Sequence, residues 1–416
     1  MFYLYLCSNN ISVLYTRTSG WEGACTKTFD TRHPQLIYPA GSPKVETSNR
    51  MTDEEVHPII RSSIPVREVD VFGEVSAFAV FPDRRRMATN SSDGVVRIWD
   101  LKNGDLLKEL EGRSNGVAYM TISRDGQLIA SSDSKGYVMI WHGDTGRPLT
   151  QPFQAHSYTC SLDFSPDSAT LATGSSDNTV KLWSTDTWQL QGTSFNCSSR
   201  VASIRYSPSG ELLVIATCDD IQIWNLVGRA RTARFGHGPS SVPLVWMPDG
   251  KSLLWRNRDD SIIRQWDSLT WKQVGDIWKG DSNCKHFAVN CNGSIVASVT
   301  AGNHIRLWRF SNRQTIAIFQ EKCIPRCIAF SMDGKRILVG SLCKVSEWAV
   351  PEHAWPEDTP GDRATCQVCS HLISINLSFH FLMPRFNLKS VILKLLRPRL
   401  KTMKLRCVST LDPRAL

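Results

Sequence analysis

The sequence predicts an all-β fold, a seven-bladed β-propeller of four-stranded antiparallel blades with poorly structured N- and C-terminal extensions. Three observations carry this: a tryptophan that returns about every 42 residues, a tight-turn motif in phase with it, and apolar residues that alternate with period two around the turn.

The tryptophans end seven similar strands: VVRIWD at Trp99, GYVMIW at Trp141, TVKLWS at Trp183, DIQIWN at Trp224, SIIRQWD at Trp266, HIRLWRF at Trp308 and KVSEWAV at Trp348. Their steps are 42, 42, 41, 42, 42 and 40 residues, a regularity that a repeated structural unit imposes. The turn residues Asp83, Asp125, Asp167, Ser209, Asp249, Asn292 and Asp333 stand 15–17 residues before each tryptophan, in FPDR, SRDG, SPDS, SPSG, MPDG, CNG and SMDG. Asp, Asn and Gly close such hairpins because they tolerate positive φ or bond their own backbone. Period-two strands flank the turn, as in CSLDF and TLATG, and TVKLW follows. A fourth strand comes after each tryptophan, as in LLKELE (106–111) and QTIAIF (314–319). Four antiparallel strands per unit make one propeller blade.

Composition narrows the setting. The chain of 416 residues is 41% apolar, enough for a large core. Its 13 cysteines are scattered rather than gathered into a disulfide framework. The first fifteen residues lack the basic region and apolar run of a secretory signal, and no run reaches the roughly 18 apolar residues of a membrane helix. The expectation is an intracellular protein, cytoplasmic or nuclear. The net charge of +9 is concentrated in residues 361–416, where ten Lys/Arg face Asp362 and Asp412. The repeat region is nearly neutral, so nucleic acid is not an expected partner.

The WD and WD-like endings, with the PDG-type turn, resemble the WD-repeat (WD40) family over residues 62–350. The resemblance implies a ring in which an N-terminal strand completes the last blade. Residues 65–70, PVREVD, supply that strand, since Pro351, Pro356 and Pro360 exclude one after Trp348. The domain organisation expected is a largely disordered N-terminal extension (1–61), the propeller (62–350), and a basic tail (351–416) that is disordered or forms a short amphipathic helix near 386–397. The resemblance also implies a buried network of His, Ser/Thr, Asp and Trp, complete in blade three as His156, Ser175, Asp177 and Trp183. Blade one keeps Ser91, Asp93 and Trp99. Blade five keeps His237, Asp260 and Trp266, with Arg258 at the Ser/Thr position. Lys135, Gly302 and Leu342 replace the Asp in blades two, six and seven, which predicts weaker local order there. His156 and Asp177 are read as structural, because buried polar groups must be bonded.

No HExxH or GxSxG pattern is present, and Gly250-Lys251-Ser252 has Val245 where a phosphate loop needs glycine. Cys366, Cys369 and His371, with Cys407 and His380 nearby in sequence, lack the second ligand pair of a structural zinc site. No catalytic residue, cofactor or metal is therefore expected. Arg84, Arg85, Arg86, Arg229, Arg231 and Arg234 read as solvated turn charges.

The resemblance implies that partners touch the residue seven places before each turn marker: Ser76, Ala118, Cys160, Ala202, Val242, Lys285 and Arg326. Glu74, Tyr158 and Arg200 stand on the same rim, so the candidate partner-binding set is Glu74, Tyr158, Arg200, Lys285 and Arg326. The function expected is a monomeric, non-catalytic scaffold that holds other proteins or peptides, acidic or phosphorylated, on the channel face. One alternative is a basic adaptor whose tail reaches an anionic membrane or nucleic acid. A propeller enzyme is the other, and it requires His, Glu or Asp converging on the inner strands, which those seven positions do not supply.

Overall fold

The structure is a computed structural model that describes residues 58–355 apart from 72–74, 92, 113–115, 237–243, 257–261, 276–277, 279–283, 301 and 342–343. It also describes two short strands, Leu6–Cys7 and Asn10–Ile11, paired antiparallel. The chain divides into two compact units, residues 1–55 and 56–416. The first contains that strand pair; the second contains the propeller.

Seven sheets of antiparallel strands follow one another along the chain. Their innermost strands are Val75–Val80, Val117–Ile122, Thr159–Phe164, Val201–Tyr206, Leu244–Trp246, Cys284–Val289 and Cys327–Phe330. In blade three the order outward is Thr159–Phe164, Thr170–Ser175, Thr179–Ser184 and Phe195–Asn196. Burial falls along the same direction: the inner strand of blade three is buried throughout, while the outer strand of blade four, Ala230–Gly236, is mostly exposed. Among the described residues there is no α-helix, and so none long and apolar enough to cross a membrane.

The core lies between blades rather than at the centre of the ring. Phe81, Val96 and Ile98 of blade one meet Met120, Ile129 and Trp141 of blade two. Similar clusters join blades two and three, three and four, and four and five, and one cluster runs through blades five, six and seven. Cys327 and Ala329 of blade seven pack on Val75 and Phe78 of blade one, which closes the circle. The approach there is tight: a Cβ on Gly340 would lie 2.5 Å from the Cys327 sulfur and 3.1 Å from the Phe78 ring. Only glycine fits without displacing one of them.

Arg67–Asp70 pairs antiparallel with Lys344–Ala349 as the outer strand of blade seven. Side chains reinforce the junction: Arg67 is 2.8 Å from Glu347, Lys344 is 2.8 Å from Glu68, and Arg67 also donates to the carbonyl oxygen of Leu101 in blade one. Upstream, Ile60–Ser62 adds a fifth strand to blade six, parallel to Thr315–Gln320. The sequence boundary at residue 62 falls inside this strand. At the other end, the stretch read as tail begins packed: Glu352–Ala354 forms a 3-10 turn, Ala354 is buried, and the Trp355 indole donates to the Val350 carbonyl at 2.7 Å. Most of both expected extensions, with the 386–397 segment and the Cys366, Cys369 and His371 set, lies outside the described residues.

Two arginines expected to be solvated, Arg86 and Arg229, join blades instead. Arg86 of blade one bonds Asp83, reaches Asp144 (2.8 Å) and the Gly143 carbonyl (2.9 Å) of blade two, and covers the Phe81 ring. Arg229 of blade four donates to the carbonyls of Gln191 and Thr193 in blade three and lies 4.6 Å over Phe195. Arg231 and Arg234 stay exposed, as expected, and meet only their own blade: Arg231 lies over Trp224, and Arg234 pairs with Asp220. Arg313 repeats the pattern from blade six to the Val274 carbonyl of blade five at 3.1 Å. A guanidinium does this because its donors fan out in one plane and its flat face covers a ring. Arg84 and Arg85 remain exposed, as expected.

Candidate protein-interaction site

The polar network of blade three sets the local geometry. The Trp183 indole donates to Thr173 Oγ1 (3.0 Å), which lies 2.8 Å from His156 Nε2, and His156 Nδ1 lies 3.0 Å from Asp177 Oδ2. The bonds run in one sense, Trp183 to Thr173 to His156 to Asp177, for a neutral imidazole protonated on Nδ1. Ser175 was expected to carry the shared hydroxyl; it instead donates to the Tyr158 carbonyl (2.6 Å) and accepts from the Asp177 amide (3.0 Å). The reason is register. Positions 173 and 175 face the same side of the strand, but the indole reaches back ten residues, not eight.

The same ten-residue bond recurs elsewhere. Trp99 donates to Thr89 (2.8 Å), Trp141 to Ser131 (3.0 Å) and Trp308 to Ser298 (2.8 Å). Blades four and seven have Val214 and Leu338 at that position, and their indoles use the residue two before instead: Trp224 donates to Gln222 (3.1 Å) and Trp348 to Ser346 (3.0 Å), with Glu321 at 3.2 Å. The tryptophan anchor is thus kept in blades two, six and seven despite Lys135, Gly302 and Leu342. In blade five, Arg256 rather than Arg258 stands ten before Trp266. Arg258, His237 and Asp260 lie outside the described residues.

The chain Asp177, His156, Thr173 has the order of an acid, base and hydroxyl nucleophile. Thr173 is fully buried, however, and its hydroxyl is shared between the indole and the imidazole. No substrate reaches it, which supports the structural reading. Although burial works against its ionisation, the Asp177 carboxyl is held below the usual range by Thr179, His156 and Ser175. Among the described residues no group of three or more His, Cys, Asp or Glu side chains is placed to hold a metal.

A second buried polar set lies toward the hairpin end of the inner strands. Asp163 of blade three accepts the Tyr206 amide of blade four at 2.9 Å and is flanked by the charges of Arg124 and Arg205, both buried. Burial raises its carboxyl above the ordinary range, against the pull of the two arginines.

The partner-binding candidates stand at the opposite, entry end. Tyr158, Arg200 and Arg326 immediately precede the inner strands of blades three, four and seven, and Lys285 is the second residue of that strand in blade six. The strands enter the ring from one side, so these four share a face. Glu74, Val242 and the side chain of Ser76 lie outside the described residues. Ala118 and Cys160 are buried, which leaves them little to offer a partner.

Two groups result. Arg200 is exposed and its charge acts on Tyr158, Tyr119 and Cys160. Burial nonetheless raises both phenols and pushes the Cys160 thiol up to about 11, so this thiol is unreactive at neutral pH. Lys285 and Arg326 belong to the second group, with Arg256 and His286. Burial, then the charges of Arg256, Lys285 and Arg326, bring the His286 imidazole down to about 3. Neither Arg256 nor His286 was foreseen, because their meeting depends on which strands the ring brings together.

A pH dependence follows. His286 and His156 both titrate lower in the fold than the ordinary value of 6.5, burial being the leading cause in each. Between the two values the unfolded chain binds more protons, so stability is full above about pH 6.5 and falls as pH drops toward 3. Urea titrations from about pH 8 to about pH 4.5 should show this decline, and His286→Phe should flatten it. An equal slope in the variant would remove His286 from the account.

The family model of the WD domain, G-beta repeat (WD40) matches residues 66–100, 104–142 and 146–184, the closing strand through blade three. No curated protein matches the chain.

Proposed function

We propose that this chain, a seven-bladed propeller whose first three blades match the WD-repeat model, is a non-catalytic scaffold that docks another protein on the entry face of its channel. Propellers of this family are generally protein-interaction scaffolds and typically non-catalytic. The observation that carries the reading is the gathering of Arg256, Lys285 and Arg326 at the entries of blades five to seven, with Tyr158 and Arg200 across blades three and four. Arg and Tyr are the residue types that concentrate binding energy at interfaces. The partner surface is acidic or phosphorylated, and the propeller acts as a monomer inside the cell. The described cysteines, Cys160, Cys197, Cys218, Cys284, Cys291, Cys323 and Cys327, are all free thiols, which suits a reducing compartment.

The test is affinity capture from the native cell, with quantitative mass spectrometry, using the tagged full chain. Lys285→Ala combined with Arg326→Ala should lower recovery of the main partner by about tenfold or more, as expected for loss of two interface cations. Arg84→Ala with Arg85→Ala, at the hairpin end, should leave it unchanged. Equal capture by both double variants would remove the entry face from consideration. Capture that disappears only when residues after 360 are deleted would transfer the function to the basic tail.

A further inference from the structure

We propose that the outer edge of blade four, Ala230–Gly236, is a docking site for an extended acidic segment of another protein, which adds a fifth strand to that blade. The site is formed by an outer strand rather than by the strand entries, so it stands apart from the entry-face reading above.

Blade six shows how such an edge is filled. Its outer strand, Thr315–Gln320, carries the chain's own Ile60–Ser62, with Ala317, Ile318 and Phe319 beside Ile60, Arg61 and Ser62. The outer strand of blade four repeats this geometry. Ala233 and Ala317 each stand opposite the residue before the blade's tryptophan, Ile223 and Leu307, while Phe235 and Phe319 stand opposite Ile221 and Ile305. The register shifts at the same place in both, between Ile223 and Trp224 and between Leu307 and Trp308. Burial is what differs: Ala317 and Phe319 are buried, whereas Ala233 and Phe235 are half-buried and Arg234 is exposed. Among the described residues, no strand pairs with the outer side of Ala230–Gly236.

The other edges of the ring are poorer templates. The outer strands of blades two, three and five are two residues long, too short to hold another chain. Blade one has six residues, Leu106–Glu111, but charge of both signs in Lys108, Glu109 and Glu111, and Glu109 is held by Arg97 at 2.8 Å. Blade four offers seven residues, exposed and basic. A strand edge presents a row of N–H and C=O groups that a second extended backbone matches, which selects a peptide over other polyanions.

Charge complementarity sets the composition of that peptide. Arg231 and Arg234 stand opposite Trp224 and Gln222, alternate residues of one strand, so the register shift places both on one face of the sheet. Arg234 pairs with Asp220. Arg229 and Arg231, which meet backbone carbonyls and the Trp224 ring, have no carboxylate within ion-pairing distance among the described residues. Residues 237–243, which follow the strand, contain no Asp or Glu. A fifth strand with an acid at every second residue lays those acids along the arginine face. Its other residues continue the face of Ala233 and Phe235, which packs on Ile221, Ile223 and Trp255, and are therefore apolar.

The probe is a synthetic peptide of about nine residues that alternates Glu with Val, added to the full chain. Two comparison peptides have Lys in place of Glu, or the acidic sequence with every backbone amide methylated. Fluorescence anisotropy reads affinity, and hydrogen exchange reads the site. The acidic peptide is expected to bind with a Kd on the order of 10 μM, and both comparison peptides at least about tenfold more weakly. At saturation the exchange of residues 230–236 should slow about tenfold at the outward-facing amides, while that of residues 106–111 stays unchanged. Arg231→Gln with Arg234→Gln, checked for folding by its melting temperature, should weaken binding about tenfold, and Arg231→Gln alone, which keeps the pair of Arg234 with Asp220, about threefold. Lys285→Ala with Arg326→Ala should leave the peptide's affinity as it is, whatever that variant does to capture at the entry face. Absence of acidic-peptide binding, equal affinity for either comparison peptide, or protection at another segment would each overturn the proposal. So would outward-facing amides of 230–236 that are already protected in the chain alone, because the edge would then be taken by the chain's own residues.

Discussion

A chain that begins at residue 71 is expected to lose about 3–5 kcal/mol of stability, or to accumulate as aggregate, because it lacks the strand that completes blade seven. Four residues pair there with Lys344–Ala349, the Val66 amide donates to Glu347 at 2.7 Å, and Arg67 ties Glu347 to blade one. Val69 also covers the cluster that joins blades seven and one. Removing the strand leaves an open sheet edge beside a cluster that has lost one wall. A chain that begins at residue 64 loses, of the described strands of the propeller, only the fifth strand of blade six, and the propeller should stay within about 1 kcal/mol of its stability in the full chain. Thermal melting with light scattering separates the two truncations. Equal melting temperatures would mean that the seventh blade holds without its outer strand.

Replacing Asp163 is the second large effect. Asp163→Ala removes the acceptor of the Tyr206 amide and leaves Arg124 and Arg205 buried without that carboxylate, a class of change that costs about 3–5 kcal/mol. Adding Arg205→Leu to Asp163→Leu should cost less than the single Asp163→Ala change, since a buried pair exchanged for apolar groups is often nearly neutral. Urea unfolding of Asp163→Leu, Arg205→Leu and the double variant, beside Asp163→Ala, measures the non-additivity. Losses that simply add would show that Asp163 and Arg205 do not act as a pair.

The blade count was legible because two independent markers, the tryptophan and the turn residue, repeat in phase. The shared hydroxyl was placed two residues late because Thr173 and Ser175 lie on one face of one strand, and period-two patterning cannot choose between them. Gln222 and Ser346 substitute for that hydroxyl from the tryptophan's own strand, where no ten-residue spacing points to them. The joining role of Arg86, Arg229 and Arg313 was hidden for another reason: much of what they meet is backbone carbonyl, and a carbonyl leaves no mark in sequence. Lys285 and Arg326 were found by counting within a repeat. Arg256 and His286 join them only through contacts between neighbouring blades, which counting within one repeat does not reveal.

The position of the closing strand also sets a schedule. Arg67 and Glu347 lie 280 positions apart, so the strand that seals the ring leaves the ribosome long before its partner exists. At 5–20 residues per second, the interval is roughly a quarter of a minute to a minute. Throughout it, Ile60–Ser62 and Arg67–Asp70 are nascent segments awaiting partners, and sheet edges left unpaired invite the wrong neighbour. Slow synthesis or a destabilised seventh blade lengthens that exposure. Yield in the cell should therefore be governed more by how quickly the two ends meet than by how stable the finished ring is.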